Sequence, residues 1–232
     1  MAEFDYPHSE LLVSASWLAQ HLNDPNVKVI DARSAREYGE GHVPGALLLP
    51  NGAFRATSGV PDTCSAEEFA EQTGALGISA GDTVVCYDGT GGARAWWAFS
   101  RFGHADARYL NGGYKQWTAS GQAGSTGVTP QPRPATYLLG KVQDHLACSL
   151  PQAVTAAGES EVLFWDVRSE GEYTGADPRN NPPERAGHLP RAVHLEWTEM
   201  QDGATGLFKP AAEMRALLAS KGITPEKEVV AY

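Results

Sequence analysis

Short β-rich runs alternate with stretches of helical apolar spacing along the first half of the chain. Val27-Lys28-Val29-Ile30, Ala46 to Leu49, Thr83 to Tyr87 and Ala107 to Leu110 read as strands. Ser16 to Leu22, Ser65 to Thr73 and Ala93 to Phe102 carry helical spacing, and Ser65 with Glu68 has the pattern of a capping box. Trp96, Trp97, Phe99 and Phe102 share that spacing and read as core. Alternation of this kind predicts a parallel sheet with helices on both faces. Ligand sites in such sheets lie at the carboxyl ends of the strands.

The pattern occurs twice. Val29-Ile30-Asp31-Ala32-Arg33-Ser34 through Glu37-Tyr38 returns as Phe164-Trp165-Asp166-Val167-Arg168-Ser169 through Glu172-Tyr173, a shift of 135 positions from Asp31 to Asp166. Gly41-His42-Val43-Pro44-Gly45-Ala46 returns as Gly187-His188-Leu189-Pro190-Arg191-Ala192, now shifted by 146 from His42 to His188. The second copy therefore carries 11 extra residues, around Ala176 to Glu184. Gly77-Ile78-Ser79 through Val84-Val85-Cys86-Tyr87 matches Gly222-Ile223-Thr224 through Val229-Val230-Ala231-Tyr232, shifted by 145. Three blocks in one order mean two copies of one domain. We place the first at residues 9–122 and the second at 144–232. Residues 123–143, with the preceding Gly121 and Gln122 and with Gly124, Gly127, Pro130, Pro132 and Pro134, form an extended, partly stiff linker.

In the first copy, Asp88-Gly89-Thr90-Gly91-Gly92-Ala93-Arg94 joins a strand to a helix expected to begin near Ala93. Gly89, Gly91 and Gly92 would let successive N–H groups face inward as an anion cup, with Arg94 nearby. The same glycines would equally serve a tight turn that needs them only to relieve strain. Asp88 puts a carboxylate at the mouth, so this copy reads as occupied or inert. Cys86, two residues earlier in the β run, reads as a buried structural thiol on the same face as Asp88. Under the shift of 145, the counterpart of Asp88 is the position directly after Tyr232, where the sequence stops. The expectation is a longer gene product whose second copy has its own cup past Tyr232.

Composition narrows the partners. Eighteen Lys+Arg against 28 Asp+Glu give a net charge of −10, which disfavours a phosphate backbone and leaves room for a small anionic ligand. No apolar run approaches the roughly 20 residues of a membrane span, and no secretory signal stands at the start. Cys64, Cys86 and Cys148 are too few and scattered for a disulfide framework or zinc site, so a reducing cytoplasm is expected, without metal or organic cofactor. His42 and His188, in Gly-His-x-Pro turns, are expected to hold loop backbone.

These motifs resemble the two-domain rhodaneses, the thiosulfate and 3-mercaptopyruvate sulfurtransferases. Asp-x-Arg, Glu-Tyr and Gly-His-x-Pro-Gly-Ala occur in both copies, with Arg191 where the second copy should have Gly. Leu110-Asn111-Gly112-Gly113 followed by Trp117 is similar to the segment closing the family's first domain. The resemblance implies an α/β fold of two tandem domains, each a parallel sheet flanked by helices, the second incomplete at its C-terminus. It also implies a nucleophilic Cys directly after the strand ending at Tyr232, with Asp88 in the equivalent, non-catalytic place. The implied chemistry is ping-pong transfer of a sulfane sulfur from a small anionic donor through a Cys persulfide to cyanide or a thiol. Within the chain, Arg168 and Arg185 are candidates for binding the donor; structural ion pairing and a solvated loop charge are their other readings. Glu172 stands where some relatives carry a donor-binding Arg, which favours thiosulfate over 3-mercaptopyruvate. The 232-residue chain by itself is expected not to turn over. Two other functions fit the pattern: a non-catalytic rhodanese-like module binding a partner, and a phosphatase of the related Cys-loop-Arg kind.

Overall fold

The computed structural model describes residues 4–50, 52–55, 64–130, 132–177 and 186–232. They divide into two compact units, residues 1–147 and 148–232. The first unit contains, in chain order, β1 (Leu12–Val13), α1 (Ala15–His21), β2 (Val27–Asp31), α2 (Ala35–Glu40), β3 (Leu47–Leu48), α3 (Ala66–Ala75), β4 (Thr83–Tyr87), α4 (Gly89–Arg101), β5 (Ala107–Leu110) and α5 (Gly113–Ala119). Its five strands are all parallel, in the order β1-β5-β4-β2-β3. Parallel neighbours need crossover connections, and the helices supply them.

Alternation along the strands builds two cores. Ile30, Val84 and Cys86 face a cluster with Phe54, Phe69, Phe99 and Phe102, while Val29, Val85 and Tyr87 face Leu18, Leu110 and Trp117. Phe69 is the hub of the first, with ring centroids 4.5 to 5.6 Å from Phe54, Phe99, Phe102 and Tyr137. Tyr137 lies in residues 123–143, so that segment contributes a buried ring to the first unit's core. Phe99 and Phe102 are core as the spacing predicts. Trp97 is not: it lies outside that cluster, and its Nε1 donates to the Leu146 carbonyl at 2.7 Å.

The second unit holds α6 (Leu150–Ala156), β6 (Val162–Asp166), α7 (Glu170–Thr174), β7 (Val193–His194), α8 (Ala211–Ser220) and β8 (Glu228–Ala231). Its parallel strands run β7-β6-β8, which is the β3-β2-β4 part of the first sheet. The registers agree: Ile30 pairs with Cys86, and their counterparts Trp165 and Ala231 pair likewise. Leu195, Met200 and Ile223 form the core under this sheet, with Trp165, Leu217 and Val229 packed against them.

Candidate functional site

At the carboxyl ends of β2 and β4, Asp31 and Tyr87 sit side by side in register. Asp31 is fully buried, and a buried carboxylate is tolerable only when it is paired and hydrogen-bonded. It accepts from Arg33 N at 2.9 Å, Arg33 Nη2 at 2.6 Å and Tyr87 Oη at 2.5 Å. Arg33 Nη2 also donates to the Gly41 carbonyl at 2.7 Å, and Tyr87 Oη accepts from the Val43 N–H at 3.2 Å. Asp-x-Arg thereby fastens the Gly-His-x-Pro turn to the end of the sheet. His42 donates from Nδ1 to the Tyr38 carbonyl at 2.8 Å and stacks on the Tyr38 ring, centroids 3.8 Å apart.

Asp88 links β4 to α4 with φ 68° and ψ 121°, a conformation that side chains rarely adopt. Its oxygens accept from the Tyr114 N–H, both at 3.2 Å, and Arg33 Nε lies 3.2 Å away. The Arg33 guanidinium sits 4.3 Å from the Tyr114 ring centroid. Burial raises the Asp88 carboxyl to about 6; the Tyr114 N–H and Arg33 pull it down without cancelling that effect. A carboxylate, an arginine and an aromatic ring therefore meet at the strand ends of the first unit.

The helix after Asp88 starts at Gly89, four residues before the expected position, so Gly89, Gly91 and Gly92 belong to its first turn. A Cβ on Gly92 would meet the Tyr87 carbonyl at 2.5 Å, and one on Gly91 would meet that of Ala32 at 2.8 Å. These two glycines are required by the close approach of α4 to the strand ends. Arg94 is on the exposed side of α4, with Arg55 as its charged neighbour. Cys86 is wholly buried among apolar groups, and burial pushes its thiol far up. It faces the phenylalanine cluster, whereas Asp88 bonds to Tyr114 and Arg33.

The second unit repeats this frame group for group. Asp166 accepts from Arg168 N at 3.0 Å, Arg168 Nε at 2.9 Å and Arg168 Nη2 at 2.5 Å, and is also bonded by the Tyr232 hydroxyl. Arg168 Nη2 donates to the Gly187 carbonyl at 2.9 Å, and Tyr232 Oη accepts from the Leu189 N–H at 3.0 Å. His188 donates from Nδ1 to the Tyr173 carbonyl at 2.8 Å and stacks on that ring at 3.8 Å. Burial alone would raise the Asp166 carboxyl, and the bonds from Arg168 reverse this and leave it lowered. Arg168 is thus held by the carboxylate and the turn carbonyl. Arg185 lies outside the described residues. Glu172 closes a capping box with Ser169 at the start of α7, as Glu37 does with Ser34 in the first unit.

Two participants escaped the sequence reading. Tyr114 enters through its backbone N–H and ring, which no motif advertises. His194 stands where the first copy has Leu48, and that polar-for-apolar exchange between copies was its one sequence signal. Its Nε2 donates to the Arg168 carbonyl at 2.8 Å, its Nδ1 lies 3.0 Å from Glu170 Oε2, and its ring stacks on Tyr173 at 4.6 Å. Among the described residues no cluster of three or more His, Cys, Asp or Glu could hold a metal ion, and no helix is long and apolar enough to cross a membrane.

Comparison with known proteins agrees with this geometry. The profile of the Rhodanese-like domain matches residues 14–120. Sulfur carrier protein TtuD of Thermus thermophilus is 35% identical over 239 residues, covering 98% of this chain and 83% of that protein. Thiosulfate sulfurtransferase of Corynebacterium glutamicum is 32% identical, covering 98% of this chain and 78% of the relative. Among solved structures, SseA of Escherichia coli, described as a 3-mercaptopyruvate sulfotransferase with the rhodanese fold, superposes with a TM-score of 0.82 at 25% identity, over 95% of this chain and 87% of its own. EanB, a variant of which was solved in complex with ergothioneine, shares the fold, with a TM-score of 0.85 at 23% identity, and this chain spans 60% of its length.

Proposed function

The chain belongs to the two-domain rhodanese family of sulfurtransferases, and on that premise we propose a division of labour between its copies. The second copy carries the reaction, and the first is a non-catalytic partner whose pocket Asp88 fills. One observation carries this reading: the Asp–Arg–Tyr frame is built identically in both units up to Tyr87 and Tyr232. The next position is Asp88 in the first, and we assign the nucleophilic Cys to the position following Tyr232 in the second.

The donor is a small anion, thiosulfate ahead of 3-mercaptopyruvate. A cysteine thiolate attacks the outer sulfur of thiosulfate, the S–S bond breaks, and sulfite leaves with the bonding pair. Cyanide or a thiolate then attacks the outer sulfur of the resulting persulfide, and the cysteine leaves as thiolate. N–H groups turned inward after the strand would stabilise both sulfur anions, as directed dipoles do in an oxyanion hole. Arg168 acts here as a positioning residue: its bonds to Asp166 and Gly187 set the turn flanking the site. A protein acceptor is a second reading, favoured by the similarity to a relative named as a sulfur carrier.

The test is thiocyanate formation from thiosulfate and cyanide by a protein carrying the residues that follow Tyr232, beside the 232-residue chain. The expected result is turnover by the first, none by the second, and a mass gain of one sulfur atom after thiosulfate alone. Failure of the longer protein to form either thiocyanate or a persulfide would overturn the proposal.

A further inference from the structure

Residues 132–146 run as a strap along the first unit and are tied to it at intervals. Ala135 N donates to the Gly74 carbonyl at 2.8 Å, Gln143 N to the Arg101 carbonyl at 2.7 Å, and Trp97 Nε1 to the Leu146 carbonyl at 2.7 Å. The first unit makes room for this backbone with glycine. A Cβ on Gly74 would meet the Ala135 carbonyl oxygen at 2.5 Å, and one on Gly103 would meet that of Lys141 at 2.5 Å. Between these ties the buried Tyr137 ring stands edge-on to Phe69.

The Tyr137 hydroxyl ends on a histidine. His104, buried in the turn between α4 and β5, has Nδ1 2.9 Å from Tyr137 Oη and Nε2 2.9 Å from the Asp82 carbonyl oxygen. A carbonyl can only accept, so Nε2 carries the proton, Nδ1 presents its lone pair, and the hydroxyl donates to it. All three groups are satisfied with the ring neutral. A second proton, on Nδ1, would face the hydroxyl donor to donor. The oxygen could accept it only by turning its own proton away, and among the described residues that hydroxyl has no other acceptor. Burial lowers the His104 ring from its ordinary 6.5, and the Asp82 carbonyl and the charges of Asp106 and Asp82 oppose this without cancelling it. Those carboxylates are engaged elsewhere, Asp106 by Arg108 and Thr83, Asp82 by the Ser79 N–H. On its other sides His104 meets the Phe99 ring of α4, centroids 5.1 Å apart, and the Tyr137 ring of the strap.

We propose that His104 and Tyr137 form a proton-operated latch on the strap: a neutral His104 keeps residues 132–146 seated, and a protonated one releases them from the first unit. A histidine that is harder to protonate in the seated form makes the released form the one that binds protons. Seating therefore holds above pH 6.5 and weakens as pH falls below it, by at most tenfold per pH unit for one proton. The strap ends where the second unit begins, at Ala147 and Cys148, so acid lengthens the free chain joining the two. The device is separate from the sulfur-transfer reading and stands or falls without it.

The test is amide hydrogen exchange of the 232-residue protein at pH 7.5 and 5.5, with each rate divided by the intrinsic rate at that pH. Ala135 and Gln143 report the strap, and Val85, buried in β4, reports the sheet. Opening at Ala135 and Gln143 is expected to rise roughly fivefold to tenfold from pH 7.5 to 5.5 and to exceed that of Val85 at both. His104→Gln keeps a donor for the Asp82 carbonyl and does not titrate, so its strap opening should be flat across the range. Tyr137→Phe keeps the ring and should raise strap opening about fivefold at pH 7.5, the worth of one net hydrogen bond. Strap opening in the parent that ignores pH, or that matches Val85 at pH 5.5, would overturn the proposal. So would a pH response that survives in His104→Gln, or strap opening unchanged in Tyr137→Phe.

Discussion

At Asp88 a backbone in the left-handed region, a half-buried carboxylate and an arginine meet, and the carboxylate's burial has a measurable consequence. The folded carboxyl is raised to about 6 from an ordinary value of 3.8, so between those values the native state binds more protons than the unfolded one. The contribution of Asp88 to stability is therefore greatest below pH ~4, falls as pH rises through about 6, and stays low above that. Asp88→Asn keeps an oxygen for the Tyr114 N–H and removes the titration. In urea unfolding, its stability relative to the parent should improve by about 2 kcal/mol between pH 4 and 7.5. A difference flat across that range would contradict the burial argument. Tyr87→Phe strips a donor from buried Asp31 and an acceptor from Val43, and is expected to cost about 2 kcal/mol in the same assay. Asp88 could be singled out in the sequence because the repeat puts it in register with the position after Tyr232. Its partner Tyr114 could not, since a backbone N–H has no side-chain signature.

Among the elements, the strands and the helix after Ser65 follow their patterns closely, because apolar periodicity and a capping box act locally. The start of α4 does not. Gly89 to Gly92 carry poor intrinsic helix propensity, and packing against the ends of β2 and β4 overrides it, with glycine demanded by the approach of Tyr87 and Ala32. A similar local device explains Glu172. The Glu172 carboxylate caps α7 from the third helical position, and Ser169→Ala is expected to cost about 1 kcal/mol of stability. The cluster around Phe69 binds α3 and α4 to the sheet. Phe69→Ala should cost ~3–5 kcal/mol in a urea titration, because no neighbouring ring can collapse into the gap without losing its own contacts.

Over the whole molecule, duplicated sequence has produced duplicated frames: β3-β2-β4 and β7-β6-β8 share strand order and register. β2 and β6 are each paired on both sides, while β3 and β7 are paired on one. Native-state hydrogen exchange should therefore be roughly tenfold or more slower in β6 than in β7. Equal protection of β6 and β7 would refute the account. From sequence alone came the α/β class, the duplication, the Asp-x-Arg and Gly-His-x-Pro motifs, and the pairing of Asp88 with the position after Tyr232. All of these rest on spacing along one chain, where order and interval carry the information. Tertiary structure decided that Arg168 is held by Asp166 and Gly187, that Tyr114 bonds Asp88 in the first unit and His194 bonds the Arg168 carbonyl in the second, and that residues 124–129 lie across His42. Those outcomes depend on which distant segments meet at the strand ends, and no periodicity within a segment encodes that meeting.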